Sequence, residues 1–556
     1  MSAATGRNGW LLLSGGACAF SALALACAPA PPPRPADAPA PAAIPAAAPQ
    51  VKTGGKVILG THADPTNFDP HRTPPGTSGS NLQQFAPIYN TVFRWPAKPF
   101  GPTEGLLCQL CESWQQTDGT TYFIKLRQGV KWHNIPPVNG RELTSADVKY
   151  SFERAGTNQP GYHQSDAFDA VAGIETPDNY TVKVMLKSPS PTFLPELGDP
   201  YKAIVAREVA EAGKDGFIEK AVGTGPFVFK EKTPKSRALF AKNPAYFDRG
   251  RPYLDEVEVI ILPDQQTLFD ALMTEQVHTS GAFVTTEQAR DLANNPKFVI
   301  QKFPRDSGPG AIFNLTKKPV DDPGVRRALH LATDRQQMIQ TFYQGDAMLY
   351  RWVGPAFGEL ATPQEEVARL PGFRQPKDQD VAEARRLLAE AGFASGLKLP
   401  VMVAKTGDME KVAVVLQQQY KNIGVELQLE VIDQAVANSR FVDGNFVFGI
   451  QSGRITQDYL HPAGALKRWY TGDTQNESRH SSREFDARFE KMAVTTDRKE
   501  LARMVRELED LLDKAIPGIS VYQNYRYTAW NKRVQGPFGE VGYGDSIAWI
   551  SDWWLD

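Results

Sequence analysis

The chain has 556 residues, with 61 Lys plus Arg against 63 Asp plus Glu and a formal net charge of -2 at pH 7. This balance gives no argument for binding nucleic acid or an acidic membrane surface. The length is too great for one hydrophobic core, so two or three domains are expected.

Residues 1–27 have the pattern of an export signal. Arg7 precedes an apolar run over residues 10–26, which is short and rich in Gly, Ala and Ser, as in a signal peptide. The run ends in ALAC, which is similar to a bacterial lipobox with Ala in place of the usual Leu. We expect cleavage before Cys27 and lipidation of that cysteine; the alternative is an ordinary secretory peptide cut nearby. Residues 28–50 are almost all Pro and Ala, which predicts a semi-extended tether.

The stretch over residues 111–154 carries the most informative local pattern. Asp118-Gly119 is a turn signal between two runs that alternate like strands. Thr144 and Asp147 follow at the spacing of a capping box, which predicts the start of a helix. The stretch therefore predicts a hairpin followed by a helix.

Later elements alternate between helix and strand. Residues 222–227, VGTGPF, predict a tight turn, because glycine tolerates backbone angles that other residues resist. Asp380 and Glu383 predict a second capping box, residues 410–422 a helix, and residues 425–431 a strand with strict alternation. This alternation favours an α/β architecture.

Cys108 and Cys111 form a CxxC pair after the leader. A zinc site would need two more ligands at a matching spacing, and no further cysteine follows. We interpret the pair as two small hydrophobic residues or as a local disulfide in an oxidising compartment. The sequence contains no GxSxG elbow, no Walker A motif and no SxxK paired with KTG. No catalytic residue, metal site or cofactor is therefore expected.

The motifs over residues 111–154 and 222–227 resemble those of family 5 extracellular solute-binding proteins, the dipeptide, oligopeptide and nickel receptors of ABC importers. The family pattern "SW…DG.TY.F.LR.GVK.H.G.P.TA.DV..S" is met at most fixed places, with Asn134 where the family has Gly. Residues 64–72, DPTNFDPHR, and residues 321–329 also match family motifs. The resemblance implies an α/β periplasmic-binding-protein type II-like fold, with two lobes around a cleft plus an extra inserted domain.

The resemblance also implies a domain order. The expected parts are the leader 1–27, the tether 28–50, a first lobe from 51–95, 222–305 and 517–556, an inserted domain 96–221, and a second lobe 306–516.

The segment over residues 453–462, GRITQDYLHP, carries the most binding chemistry. Peptide-binding relatives have "W.ADY..P" here; Asp458 and Tyr459 match, while Ile455 stands in the place of the Trp. The resemblance implies that Asp458 pairs with the α-amine of a ligand, since a carboxylate in a closed cleft suits an ammonium group. The alternative is that Asp458 caps a loop or pairs with Arg454.

Three further candidates complete the predicted site. Thr456 lies in the same segment. Thr77 and Ser78 lie in a polar, Gly-rich stretch that borders the ligand in the family. The alternative for this stretch is a solvated loop that caps a helix.

The resemblance implies a receptor that captures peptides in an interlobe cleft and delivers them to the permease subunits of an ABC importer. It would act outside the cytoplasm, in the periplasm or on the outer face of the cell membrane, as a monomer held by a lipid anchor. It would have no cofactor, no nucleic-acid partner and no catalytic role. Two alternatives stay open: a non-peptide solute such as a nickel chelate, glycoside or opine, and a sensor or enzyme on this scaffold.

Overall fold

The computed structural model describes residues 51–64, 67–73, 79–96, 106–212, 216–280, 284–304, 308–452, 461–537 and 546–556. Its strands, β1 to β21, are Lys56–Thr61, Phe93–Arg94, Leu107–Cys108, Cys111–Gln116, Thr121–Leu126, Val171–Asp178, Thr181–Leu186, Phe227–Thr233, Arg237–Lys242, Glu256–Ile261, Thr279–Ser280, Phe298–Pro304, Pro309–Phe313, Ala347–Met348, Leu397–Lys405, Val425–Asp433, Phe448–Ser452, Gly518–Ser520, Gln523–Asn531, Val534–Gln535 and Trp554–Leu555. Its α-helices, α1 to α16, are Gly79–Phe85, Ser145–Ala155, Phe193–Glu196, Arg207–Ala210, Gly216–Glu219, Gln265–Met273, Thr286–Ala293, Pro323–Ala332, Arg335–Tyr343, Gln364–Val367, Asp378–Glu390, Met409–Lys421, Gln434–Asp443, Ala463–Leu466, Arg483–Ala493 and Arg498–Ala515.

The first sheet combines strands from distant parts of the chain. Its order is β12-β19-β11-β1-β10-β9-β8, and β14 pairs with β19. Strand β1 is parallel to β10 and β11, whereas β19 is antiparallel to β11 and β12. The carboxyl ends of β1, β10, β11 and β12 and the start of β19 therefore share one edge. The inward side chains of β1 and β10, such as Leu59 and Val259, are fully buried.

The second sheet has the order β16-β15-β17-β13-β18. Strand β15 is parallel to β16 and β17, and β13 is antiparallel to β17 and β18. The carboxyl ends of β15 to β18 and the start of β13 therefore share one edge. Leu416 and Tyr420 of α12 belong to the larger hydrophobic cluster of this sheet, while Phe441 of α13 belongs to a separate one. The predicted α/β class is confirmed.

A third, antiparallel sheet has the order β4-β5-β7-β6 and lies within the predicted inserted domain. Its β4–β5 hairpin turns at Asp118, as expected. The Asp118 carboxylate accepts hydrogen bonds from Thr120 N at 2.8 Å and from Thr121 N at 2.7 Å. Helix α2 follows, and Thr144 N donates to the Asp147 carboxylate at 2.9 Å. The predicted hairpin and capping box are confirmed.

The chain passes between the first and second sheets at the β12–β13 and β18–β19 connections, and it also visits the first sheet at β14, which lies between β13 and β15 in the sequence and pairs with β19. It leaves β12 at Pro304 and enters β13 at Pro309; it leaves β18 at Ser520 and enters β19 at Gln523. Both passages join the two carboxyl edges described above. Because β18 pairs with β13, the return lies a few residues beyond the predicted boundary at 517. The lobe boundaries as a whole stay a prediction.

The turn after α9 is held against the first sheet. Asp346 accepts from Lys302 of β12 and from the Tyr527 hydroxyl of β19. Arg290 of α7 donates to the Tyr343 carbonyl at 2.7 Å. Because Tyr343 and other residues of α9 pack in the hydrophobic cluster of the second sheet, these bonds join that cluster to the first sheet.

The glycine turn over residues 222–227 is held by His133. Gly223 N donates to His133 Nδ1 at 3.3 Å, and His133 Nε2 donates to the Gly225 carbonyl at 3.0 Å. A Cβ on Gly223 would lie 1.9 Å from the Ile88 carbonyl oxygen, so that position requires glycine. The histidine of the "GVK.H" motif and the "GTGP" turn thus form one buried junction.

One predicted helix start is wrong. Asp380 does not cap a helix, because α11 begins at Asp378. The Asp380 carboxylate is fully buried and accepts from Gly372 N at 2.9 Å, from Arg374 at 2.8 Å and from Lys377 at 2.9 Å. The Asp380 carboxylate therefore accepts hydrogen bonds from tertiary partners and does not cap the helix.

Cys108 and Cys111 form a disulfide, one of the two interpretations left open. The aromatic C-terminal residues pack on β2: Arg94 lies over the Trp549 ring at 3.7 Å and pairs with Asp552 at 3.3 Å. Across the part of the chain that the structure describes, none of the helices has the length and apolar character of a membrane span.

Stability should fall when the pH drops below about 6.5. Burial lowers the pKa of His71 and of His133 from 6.5 to about 4. Between pH 6.5 and pH 4 these histidines bind protons in the unfolded chain and not in the folded chain. Their contribution to the free energy of unfolding is therefore complete above pH 6.5 and is lost as the pH falls towards 4. From pH 7.5 to 5.0, His133 alone should contribute a loss of about 2 kcal/mol in the free energy of unfolding. Urea titrations of the wild type and of His133→Gln measure this; the variant should lose about 2 kcal/mol less over the same interval, and equal losses would refute the assignment.

Asp346→Asn should loosen the contact between the two sheets. The variant removes the charge that Lys302 and Tyr527 share, and we expect a loss of about 1–3 kcal/mol in the free energy of unfolding. The matched control is Glu383→Gln, which removes an exposed ion pair to Arg386 on α11 and should cost less than about 0.5 kcal/mol. Equal effects of the two variants in urea unfolding would contradict a role for Asp346 in joining the sheets.

Candidate ligand-binding site

In α/β proteins ligands bind outside the carboxyl ends of parallel strands, and here two such edges meet at the crossings. At the edge of the first sheet, the loop after β1 carries two acidic residues that are already paired. Asp64 forms an ion pair with Lys232 at 2.7 Å, and Asp69 accepts from Arg154 at 2.6 and 2.9 Å. These two carboxylates therefore hold the loop in place.

The edge of the second sheet carries a buried polar cluster. Gln451, near the end of β17, donates to the Glu477 carboxylate at 2.5 Å. Glu477 is 2% exposed and pairs with Arg468 at 3.6 Å. A buried carboxylate is costly without partners, so this cluster balances its own charge.

All of the predicted ligand contacts lie outside the described residues. Thr77 and Ser78 fall in the gap 74–78, and Arg454, Thr456, Asp458 and Tyr459 fall in the gap 453–460. Cys27 also lies outside the described residues. The structure does describe both flanks of the segment over residues 453–460.

These flanks are firmly held. Ser452 pairs with Pro309, the first residue of β13 after the crossing. His461 is 3% exposed, and its Nε2 donates to the Thr495 carbonyl at 3.2 Å, while Ala463 N donates to its Nδ1 at 3.2 Å. Burial lowers the pKa of His461. The chain therefore leaves the second sheet beside the crossing and returns to a fixed, buried histidine.

Sequence reasoning missed Gln451, Arg468 and Glu477. Nothing in the sequence spacing pairs Glu477 with a strand residue 26 positions earlier. An uncharged Gln at the end of an apolar strand was the available signal for Gln451.

His278 accepts a hydrogen bond from Ile58 N at 2.8 Å through Nδ1. Burial lowers the pKa of this histidine. Within the described ranges, no group of three or more His, Cys, Asp or Glu residues is placed to hold a metal ion.

Comparisons with known proteins agree with this geometry. The profile of bacterial extracellular solute-binding proteins, family 5 Middle, matches residues 106–477. The chain is 29% identical over 433 residues to the glutathione-binding protein GsiB of Salmonella typhimurium, covering 75% of this chain and 80% of that one. It is 27% identical over 519 residues to heme-binding protein A of Haemophilus influenzae, covering 87% and 90%.

A solved structure shows the same fold. The periplasmic binding protein DppA of Helicobacter pylori, in complex with the peptide STSA, superposes with a TM-score of 0.69 at 23% identity, covering 91% of this chain and 98% of that chain. The two-lobed α/β fold with its extra domain is therefore confirmed. The chain belongs to the family 5 extracellular solute-binding proteins, the substrate-binding receptors of ABC importers.

Proposed function

We propose that this protein captures peptides between its two lobes outside the cytoplasm and delivers them to the permease of an ABC importer. The observation that supports the proposal is the position of Ser452, which precedes the segment over residues 453–460. Ser452 ends β17 at the carboxyl edge of the second sheet and pairs with Pro309, the first residue of β13 after the crossing from the first sheet. A solute held there touches both lobes, so its binding favours closure about the crossings.

Asp458 is the proposed receptor for the amine of the peptide. Three carboxylates described at the two sheet edges, Asp64, Asp69 and Glu477, are paired with cations of the protein. A carboxylate in the segment 453–460 would supply the negative charge that an ammonium group requires. Arg454, Thr456 and Tyr459 would flank the peptide on the second lobe, and Thr77 and Ser78 would face it from the first.

The proposal predicts a ligand-dependent rise in melting temperature, since any ligand of the native state stabilises it. Ala-Ala-Ala should raise the melting temperature, and its N-acetylated form should bind at least about tenfold more weakly because it lacks the ammonium charge. Asp458→Asn should weaken binding of the free tripeptide by a similar factor, whereas the exposed Asp443→Asn should not. Equal affinity for both forms of the peptide would remove Asp458 from this role.

A non-peptide solute is the second candidate. Ile455 replaces the aromatic residue of peptide-binding relatives, and one relative is named for heme. Mass spectrometry of solutes that co-purify with the untagged protein distinguishes the two. Recovery of a non-peptide solute, together with no thermal shift from a peptide mixture, would discard the peptide assignment.

We also infer that the mature chain is a lipoprotein that acts as a monomer tethered near its permease. The support is the ALAC sequence ending at Cys27 and the Pro/Ala segment 28–50, which would hold the receptor at high local concentration.

Cys27→Ser should move the protein from the membrane fraction to the released fraction of a bacterial host and abolish incorporation of labelled palmitate. Cys18→Ser, in the same leader, is the matched control and should leave both unchanged. Retention of Cys27→Ser in the membrane fraction would contradict the anchor.

A further inference from the structure

A small cavity lies at the junction of three parts of the protein. Its volume is about 40 Å³, which gives room for about three water-sized groups and is far below the size of a solute site. Its walls come from residues 85–95 between α1 and β2, from Gln109 and residues 198–203 of the predicted inserted domain, and from residues 547–551 near the C-terminus. None of the described lining residues belongs to the first or second sheet, so the cavity is distinct from the candidate ligand site.

Two amide side chains in the lining have their oxygen atoms already bonded. Asn90 is 2% exposed, and its Oδ1 accepts from the Thr224 hydroxyl at 3.0 Å. Gln109 Oε1 accepts from Thr91 N at 2.8 Å. These bonds fix the orientation of both amides and leave their NH₂ groups available as donors. The Asn90 Nδ2 atom is buried and has no hydrogen-bond partner among the described residues.

Arg94 adds a positive charge and a further donor to the lining. Its guanidinium lies over the Trp549 ring at 3.7 Å, and its Nη1 lies 3.3 Å from Asp552. Asp552 is closer to Arg251, at 2.6 Å, so it balances the charge of Arg94 only in part. The Arg94 Nε atom is buried and lacks a hydrogen-bond partner in the part of the chain that the structure describes.

Tyr246 also lines the cavity and can donate into it. Burial raises the pKa of Tyr246 to about 12, against a smaller opposing effect of the nearby Asn90 amide, so the hydroxyl keeps its proton. The two groups do not meet the geometry of a hydrogen bond. Buried donors without an acceptor are costly. A water molecule needs acceptors for its own protons, whereas an anion only accepts, and these donors therefore suit an anion better.

We propose that this cavity binds a small monovalent anion, such as chloride or formate, between Asn90 and Arg94. The donors to the anion are Asn90 Nδ2, Arg94 Nε, Gln109 Nε2 and the Tyr246 hydroxyl. Because the walls come from distant parts of the chain, the anion links the predicted inserted domain and the C-terminal residues to residues 85–95, and its binding stabilises this junction. The site serves the scaffold and does not depend on which solute the receptor carries.

Diffraction from crystals grown with bromide in place of chloride tests the site, because bromide is located by its anomalous scattering. A peak should lie within hydrogen-bonding distance of both Asn90 Nδ2 and Arg94 Nε. Asn90→Asp should remove the peak, since its carboxylate keeps the bond from Thr224 and repels an anion. A wild-type crystal with no peak in the cavity would overturn the proposal.

A stability measurement distinguishes a functional site from binding at crystal concentration only. At fixed ionic strength, chloride replaces gluconate, which is too large for the cavity, and the melting temperature of the wild type should rise to a plateau about 1–2 °C higher. Asn90→Asp and Gln109→Glu should lose this rise, because each keeps its bonded oxygen and loses a donor.

The matched control for this measurement is Asn438→Asp on α13. It makes the same change and keeps the bond from Gln434, so it should retain the rise of the wild type. No rise in the wild type would refute the proposal. An equal rise in all four proteins would show a general effect of salt, and a bromide peak would then mean binding at crystal concentration only.

Discussion

The two passages of the chain between its main sheets are the constraint on which the binding site depends. Each passage joins carboxyl edges: β12 ends and β13 begins at one, and β18 ends and β19 begins at the other. The ligand-binding edges of the two sheets are therefore connected directly by the chain. Asp346, in the turn after α9, bonds to β12 and β19 of the first sheet, and α9 packs in the hydrophobic cluster of the second sheet, so this turn also links the two.

The family motifs stabilise the shared scaffold and do not identify the solute. His133, the histidine of the signature, supplies both a donor and an acceptor to the glycine turn at residues 223–225. This turn lies against the Ile88 carbonyl, where no side chain fits. A buried backbone turn without such partners would be costly. The motif therefore explains how a chain at 29% identity to a glutathione-binding protein and 27% to a heme-binding protein shares their scaffold, while it leaves the solute open.

Local patterns predicted local elements well. The alternation over residues 425–431 gave the strand β16, and Asp118 and Thr144 marked the hairpin and the start of α2, because these signals depend on neighbouring residues. The prediction that Asp380 caps a helix failed because its carboxylate accepts hydrogen bonds from Gly372, Arg374 and Lys377. The order of the first sheet, in which β19 lies between β11 and β12, depends on contacts over hundreds of residues that no local pattern contains.

The solute class must be set by side chains at the two edges, since relatives with different named solutes share the scaffold. The described part of the second edge is already charge-balanced: Glu477 is paired with Arg468 and bonded to Gln451. That cluster therefore makes no demand for a charged solute, so the charge of the solute must be matched by other side chains at the two edges.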